Sequence, residues 1–321
     1  MWLACKQMIA IAWLTALETV RQPICLILTT SAILFIGVLP LVVNYTFGET
    51  GKVIRDSGLA VFLLMGVLLS TYAACLSITR EMKSGTISAV LSKPVDRTLF
   101  LLAKFAGITG IILLYCLLVA MAVIMSERTV SELYEIDFYS AGSLLMAPFA
   151  AYLIAALINY FSDRNFVSNA FALQVICVML AFVWTGFMDR TGAMQAFGLL
   201  YNWKLIPAAM LLTMALLTLL AIAVTLATRL DAVPTLVICS VVLIVGLLSD
   251  YFFGRHAETS WWAEICYAVV PNWQHFWVVD GLTGGGEIQW SVVWATGRYA
   301  LLYTTGVLCL AVSLFNFSEI K

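Results

Sequence analysis

Charged residues are scarce in this chain. Asp, Glu, Lys and Arg make up 11% of its 321 residues, and it has only two histidines. Several segments of about 20 residues contain none of these five residue types. A proton relay or a pair of catalytic carboxylates needs such residues at depth in the protein. Neither a proton relay nor a pair of catalytic carboxylates can therefore be formed within the uncharged segments.

Motifs for nucleotide and metal binding are also missing. The chain has no Gly-x-x-x-x-Gly-Lys-Ser/Thr loop to hold the phosphates of a nucleotide, and it has no Cys-x-x-Cys pair. Its eight cysteines are scattered singly, which is typical of buried thiols rather than of disulfides or metal ligands. We therefore expect no cofactor and no metal in this chain. If the chain moves a substrate against its gradient, the energy must come from a partner protein.

Hydrophobic residues, by contrast, are abundant. They form 63% of the chain, and the mean hydropathy is +1.00, which exceeds what a soluble core of this length can bury. A helix needs about 20 apolar residues to cross the hydrocarbon of a membrane. The sequence predicts an all-α polytopic integral membrane protein, organised as a single membrane domain over residues 1–321. The eight predicted spans are approximately 23–43, 58–79, 100–125, 141–160, 166–188, 205–228, 232–250 and 294–315.

Two of these spans, 141–160 and 166–188, are separated only by a short polar turn around Asp163 and Arg164. The pattern predicts a helical hairpin added to a core of six spans. A re-entrant hairpin is the alternative.

The first 22 residues have an apolar stretch too short for a span, bracketed by Lys6 and Glu18. On a helical wheel the polar residues fall in one half, and apolar residues including Ile9 and Trp13 fall in the other. The pattern predicts an amphipathic interfacial helix over residues 1–22 that lies along the inner leaflet. The alternative, an uncleaved signal sequence, lacks the basic n-region and the cleavage pattern.

The distribution of basic residues predicts the orientation. Residues 80–104 carry five basic and two acidic side chains, whereas 127–137 and 250–287 are rich in acidic residues. Lys and Arg near span ends tend to stay cytoplasmic. We therefore expect 80–104 and both termini in the cytoplasm, and the two acidic segments outside.

Residues 80–99, between the second and third spans, form the most densely charged loop. Pro94 should interrupt a short surface helix, and Asp96 is placed to cap the next helix, which runs into the third span. The pattern predicts a helix-break-helix loop through which a force would reach both spans. The alternative is that its charges serve only the positive-inside bias, which needs neither a Gly-Thr pair nor a Pro-Val turn.

The order of residues in this loop is that of a known family. An acidic residue (Glu81) is followed by Gly85-Thr86, a leucine, a Ser92-Lys93-Pro94-Val95 turn, an Arg and a Lys. This order resembles the first cytoplasmic loop of ABC-transporter permeases of the type 2 export family. Three wider features also resemble that family: the interfacial helix at the start, the two spans before the loop and the long outer segment. The extra pair of spans departs from it.

The resemblance implies the permease subunit of an ATP-driven ABC exporter, which is not itself an enzyme. It implies ATP and Mg in a separate ATPase subunit, a location in the cell inner (plasma) membrane, and no nucleic-acid partner. The implied partners are ABC ATPase subunits, a second permease copy or a homologous permease, and membrane lipid. The loop would be the coupling helix, with ATPase-coupling residues Glu81, Lys83, Gly85, Thr86, Ser92, Lys93, Pro94, Arg97 and Lys104.

The outer segment, residues 251–293, is rich in tryptophan. Six of the ten tryptophans lie between residues 261 and 294, and Pro271-Asn272 should divide the segment into two short helices. In the related permeases such a segment closes the exit, so the resemblance implies an outer gate. Its residues would be Trp261, Trp262, Pro271, Trp273 and Trp277. An ordinary aromatic belt at the headgroup level is the alternative.

A second class of function is a polytopic membrane enzyme or assembly scaffold with a site on the outer surface. The residues that could form such a site are His256, Glu258, Glu264, His275 and Asp280. Their spacing matches no metal site, and solvated polar residues are the other interpretation.

Overall fold

Helices account for almost all of the chain. The computed structural model describes residues 2–43, 50–83, 96–130, 137–256, 260–279, 281–282 and 286–316. It is 84% helical, and these ranges contain no β-strand. The α-helices are α1 (Trp2–Val20), α2 (Pro23–Val42), α3 (Thr50–Lys83), α4 (Arg97–Arg128), α5 (Phe138–Ser162), α6 (Phe166–Phe187), α7 (Leu205–Ala227), α8 (Ala232–Leu247), α9 (Ser249–Phe252), α10 (Trp261–Val269) and α11 (Trp290–Asn316). The predicted all-α fold is confirmed.

Seven helices in the described part of the chain are long and apolar enough to cross a membrane. They are α2 to α7 and α11, and α8 with α9 makes an eighth if that bent pair is one span. The prediction of a polytopic membrane protein with about eight spans is therefore confirmed. The protein is a multi-pass membrane protein.

The helices extend beyond the apolar stretches that predict them. α3 begins at Thr50 rather than at residue 58, and α4 runs from Arg97 to Arg128 rather than over 100–125. Hydropathy marks the hydrocarbon, but backbone hydrogen bonding continues through the charged turns at its edge, where long side chains can reach water. The sequence therefore predicts the spans more accurately than it predicts the ends of the helices.

The predicted hairpin within residues 141–188 is formed by α5 and α6. Asp163 adopts a left-handed backbone conformation (φ 50°), and the Asn165 side chain accepts a hydrogen bond of 3.1 Å from the Ser168 backbone N–H. A left-handed residue and an asparagine N-cap reverse the chain within a few residues. α5 has 25 residues and α6 has 22, which favours two full spans over the re-entrant alternative.

The predicted span 232–250 is not one straight helix. α8 ends at Leu247, and the helical segment after it is bent by 63° relative to α8. Gly246 allows a close approach here, because a Cβ on it would lie 2.2 Å from Trp273 Cδ1 and 2.3 Å from the Pro271 carbonyl oxygen. The predicted span 232–250 thus corresponds to α8 together with the start of α9, and its hydropathy gives no indication of the bend.

The chain divides into two compact units. The terminal unit comprises Met1–Thr15, Ser70–Thr109 and Met210–Lys321, and the central unit comprises Ala16–Leu69 and Gly110–Ala209. The single membrane domain over residues 1–321 stays a prediction.

Polar side chains join the helices of the central unit. The Tyr152 hydroxyl donates to Thr30 Oγ1 (2.6 Å), which donates in turn to Gln174 Oε1 (3.1 Å). The Tyr115 hydroxyl donates to the Phe62 carbonyl at 2.9 Å. Interhelical bonds of this kind contribute roughly 0.6–2 kcal/mol each in a membrane, where helices gain no hydrophobic energy by leaving lipid. The bonds of Thr30 fix which faces of α2, α5 and α6 meet, and the bond of Tyr115 joins α4 to α3.

In the terminal unit, α1 packs against α4. A Cβ on Gly107 would lie 2.4 Å from the Ala12 carbonyl oxygen, so the two backbones are nearly in contact. The opposite side of α1 exposes Ile9 and Trp13, the apolar residues of the predicted interfacial helix. The helix is present as predicted, and its position at the membrane surface stays a prediction.

Candidate functional site

The base of the charged loop is closed by an ion pair. Lys104 Nζ lies 2.6 Å from Glu81 Oε1, and the Lys104 side chain is only 4% exposed. Glu81 lies in the last turn of α3, and Lys104 lies two turns into α4. A buried lysine needs such a partner, because an isolated charge is costly away from water. The pair therefore holds the end of α3 against the start of α4.

A second set of contacts joins the start of α4 to the end of α11. The rings of Phe100 and Phe315 stack with their centroids 6.2 Å apart, and the Lys104 ammonium lies 5.6 Å from the centre of the Phe100 ring. Arg97 Nη1 donates to the Asn316 carbonyl at 3.4 Å. Three helices, α3, α4 and α11, therefore contact one another where the loop between α3 and α4 begins and ends.

The turn between α7 and α8 lies against the same base. Thr79 Oγ1, on α3, is 3.0 Å from the Ala227 carbonyl oxygen and 3.2 Å from that of Leu230. Arg229 Nη2 donates to the Leu314 carbonyl at 2.8 Å. We call the side chains of Glu81, Arg97, Phe100, Lys104 and Phe315 the loop base.

The structure describes only part of the predicted coupling site. Lys83 is the last residue of α3, and Arg97 is the first of α4. The Glu81 carboxylate pairs with Lys104, so two of the predicted coupling residues contact each other. Their role in coupling stays a prediction. The remaining predicted coupling residues lie outside the described residues; they are Gly85, Thr86, Ser92, Lys93 and Pro94.

In the outer segment, the structure buries a turn that the sequence marks with Pro271-Asn272. Asn272 Nδ2 donates to Asp250 Oδ1 (2.8 Å), and the Tyr267 hydroxyl donates to the same oxygen (2.8 Å). The Asn272 backbone N–H donates to the Tyr299 hydroxyl at 3.1 Å. This turn ties α9, α10 and α11 together.

The hydrogen bond to Asp250 also changes the ionisation of Tyr267. It raises the pKa of the Tyr267 phenol, and partial burial raises it further. A neutral phenol donates to the carboxylate, whereas a phenolate would lose that bond and face a like charge. Tyr267 therefore stays neutral beyond its usual titration range.

The five predicted gate residues occupy different environments. Trp273 is 2% exposed and donates from Nε1 to the Val242 carbonyl at 3.1 Å, and Pro271 is buried beside it. Trp277 is half-buried. Trp261 and Trp262, at the start of α10, are exposed. The segment thus has a buried anchor and an exposed aromatic face, and its role as a gate stays a prediction.

The candidate outer-surface enzyme site is described in part. His256, Glu264 and His275 are exposed, and Glu258 and Asp280 lie outside the described residues. Within the described ranges, no three His, Cys, Asp or Glu side chains group closely enough to hold a metal ion.

Sequence reasoning missed a buried ion pair in the central unit. Arg128 Nε lies 3.0 Å from Asp137 Oδ2, and neither side chain is exposed. The Arg128 guanidinium also donates to the carbonyls of Thr185 and Met188. Asp137 caps α5 by accepting from the backbone N–H groups of residues 139 and 140. The pair joins the end of α4, the start of α5 and the end of α6.

The sequence does contain a signal for this pair, but the charges of residues 127–137 were interpreted only as an indication of orientation. Arg128 is the one basic residue in an acidic stretch, and Asp137 immediately precedes an apolar run, as an N-cap does. The Arg128 guanidinium also lies 5.6 Å from the centre of the Tyr201 ring, and Tyr201 is far away in sequence. Nothing in the sequence pattern connects it to the pair.

Comparison with protein-family models, with curated proteins and with solved structures finds no match for this chain. The class of protein that the fold itself defines is an all-helical, multi-pass membrane protein.

Proposed function

We propose that this protein is the permease subunit of an ATP-driven ABC exporter. A separate ATPase subunit binds the loop between α3 and α4, and its nucleotide-driven closure moves the loop. The observation that carries this proposal is the loop base, in which Lys104 pairs with Glu81 while Phe100 stacks on Phe315. A displacement of the loop is thereby passed to three helices at once. The sequence order from Glu81 to Lys104 supports the same function.

The chain needs such a partner. The uncharged segments of its spans contain no ionisable side chains for ion coupling, and the sequence has no phosphate loop for nucleotide. We therefore place ATP and Mg in the ATPase subunit. Two such subunits act with a pair of permeases, either two copies of this chain or this chain with a homologous partner.

The proposal includes an orientation. The basic loop faces the cytoplasm of the cell inner membrane, together with both termini, and the tryptophan-rich segment faces outward. The exposed indoles of Trp261 and Trp262 fit the outer headgroup level, where an indole ring is buried and its N–H stays hydrated. In this orientation the outer segment closes the exit of the pathway.

Co-purification with candidate ATPase subunits tests the proposal. The unmodified chain is expected to retain one ATPase through size-exclusion chromatography, and Gly85→Trp is expected to lose it because a bulky ring blocks the docking surface. Gly142→Trp is the matched control, since nothing lies within 4 Å of a Cβ at Gly142 on α5. Retention by Gly85→Trp, or transport in vesicles that contain no ATPase, would refute the proposal.

A further inference from the structure

The terminal unit has a groove between α3 and the start of α8. Its volume is about 640 Å³, within the range of roughly 300–1,000 Å³ that is typical of pockets for small molecules. Tyr72, Cys75, Leu76 and Thr79 form the wall on α3, and Ala232 and Val233 form the wall on α8. The lining is almost entirely apolar.

The groove has a polar mouth and an apolar interior. Arg80 and Asp231 line it at one end, and both are exposed. From Arg80 back to Tyr72 the helix rises about 12 Å, and this stretch lies within a candidate membrane span. A ligand that fits must therefore place an apolar part at membrane depth and a polar part at the end of the span. Because this wall lies within a candidate span, a lipid can approach it from the membrane.

The charges at the mouth select the polar part. Arg80 offers a guanidinium, which binds the oxygens of a phosphate through two parallel N–H groups. Asp231 offers a carboxylate, which repels a purely anionic headgroup and attracts an ammonium group. The Thr79 hydroxyl already contacts the carbonyls of Ala227 and Leu230. The mouth is thus complementary to a headgroup that carries one charge of each sign.

The geometry points to a bound zwitterionic phospholipid of the phosphatidylethanolamine class. One acyl chain lies in the groove, the phosphate meets Arg80, and the ammonium meets Asp231. This site does not depend on the transport function proposed above, because a lipid held here would remain bound in detergent whether or not an ATPase docks. Failure of one proposal therefore leaves the other standing.

Native mass spectrometry of the purified chain tests the site with two probe lipids. Phosphatidylethanolamine and phosphatidylglycerol with identical acyl chains are added in equal amounts to the delipidated protein in detergent. The unmodified chain is expected to retain phosphatidylethanolamine preferentially. Arg80→Gln is expected to lower its retention roughly tenfold, the effect of losing one hydrogen bond between charged groups. Equal retention of the two lipids by the unmodified chain would overturn the proposal.

Asp231→Asn tests the ammonium contact separately. Asp231 is the N-cap of α8, and asparagine is an equally good N-cap residue. The variant is therefore expected to fold and to shift its preference to phosphatidylglycerol. An unchanged preference would overturn the role of Asp231.

The apolar part is tested on α8. Val233→Trp fills the groove and is expected to abolish lipid retention, whereas Val241→Trp, on an exposed part of the same helix, is expected to preserve it. Equal retention by the two variants would overturn the proposal. Efficient disulfide cross-linking between copies of Val233→Cys, above that of the unmodified chain, would show that a second copy occupies the groove and would likewise overturn it.

Discussion

At the scale of single residues, two ion pairs show how a chain with so few charges uses them. Lys104 pairs with Glu81 at the end of α3, and Arg128 pairs with Asp137 at the start of α5. Both cations are almost fully buried. A charge in that position is tolerated only when it is paired and hydrogen-bonded. Each pair therefore determines which helix ends meet.

The central pair leads to a prediction about stability. Arg128→Met leaves the Asp137 carboxylate buried without its cation, which costs about 3–5 kcal/mol. The free energy of unfolding in detergent, measured by denaturant titration, is expected to fall by that amount. Arg128→Met combined with Asp137→Asn is expected to recover much of the loss, because the amide oxygen still caps α5 and no charge remains buried.

Arg164→Ala provides the control for this measurement. Arg164 is exposed in the turn between α5 and α6, and its removal should change the free energy by less than about 0.5 kcal/mol. If Arg128→Met resembles Arg164→Ala, the pair does not stabilise the fold.

Tyr267 leads to a prediction about pH. Because the hydrogen bond to Asp250 raises the pKa of Tyr267, the folded protein favours the neutral phenol. Its contribution to stability is fully present below the pKa of an unfolded tyrosine and is lost as the pH rises through the higher folded pKa. The difference in absorbance at 295 nm between the unmodified chain and Tyr267→Phe is expected to titrate at a higher pH than free tyrosine. Asp250→Asn should shift that titration back, and a titration at the ordinary position would contradict the assignment.

At the scale of elements, the packing of α1 on α4 depends on one glycine. At Gly107 a Cβ would meet the Ala12 carbonyl oxygen, whereas at Gly110, three residues further along α4, a Cβ would meet nothing within 4 Å. Gly107→Ala is expected to lower the free energy of unfolding by about 1–3 kcal/mol, because α1 must move away. Gly110→Ala is expected to raise it by up to about 1 kcal/mol, because alanine is the better helix former. Equal effects in a denaturant titration would refute the close approach.

Helix boundaries show why element-scale prediction was incomplete. Spans such as α2 and α6 end within a residue of the predicted positions, since a hydrophobic run ends where the hydrocarbon does. The bend after α8 accompanies a close approach of Gly246 to Trp273, which lies more than 25 residues away in sequence. A local pattern carries no information about such a contact.

At the scale of the whole molecule, the loop base leads to a prediction about the proposed ATPase subunit. Its binding to the loop and the transmission of its motion to the helices should depend on different residues. Lys104→Met removes the ion pair to Glu81 and leaves the loop sequence unchanged. If the proposed ATPase subunit docks on the loop, the variant is expected to retain it but to transmit less of its motion. In membrane vesicles, an impermeant maleimide should label Cys266 of the outer segment more rapidly with ATP in the unmodified complex, and no more rapidly in Lys104→Met.

Cys266→Ser gives the background of that experiment, because the other cysteines remain in place. An ATP-dependent increase in Lys104→Met equal to that of the unmodified complex would show that the ion pair does not carry the motion. Loss of ATPase binding by Lys104→Met would show instead that the pair supports docking.

For the candidate site, the sequence singled out Glu81, Arg97 and Lys104 but indicated neither their contacts nor the stacking of Phe100 on Phe315. The order from Glu81 to Lys104 predicts a loop through which a force would reach α3 and α4, and the role of Lys104 in coupling stays a prediction. The contact with α11 was not predicted. Phe100 and Phe315 are separated by most of the chain. Each lies in an apolar run, where nothing in the local sequence distinguishes it from the other apolar residues of the span.

The sequence alone determined that this is a helical, multi-pass membrane protein and where its charges cluster. Those properties follow from local composition, because the hydrocarbon of a membrane accepts only apolar helices of a certain length. Only the tertiary structure decided that Arg128 meets Asp137, that Lys104 meets Glu81, and that a groove with opposite charges at its mouth lies beside α3. Helices in lipid gain no hydrophobic energy by associating, so their arrangement depends on a few glycines and polar side chains whose partners are distant in sequence.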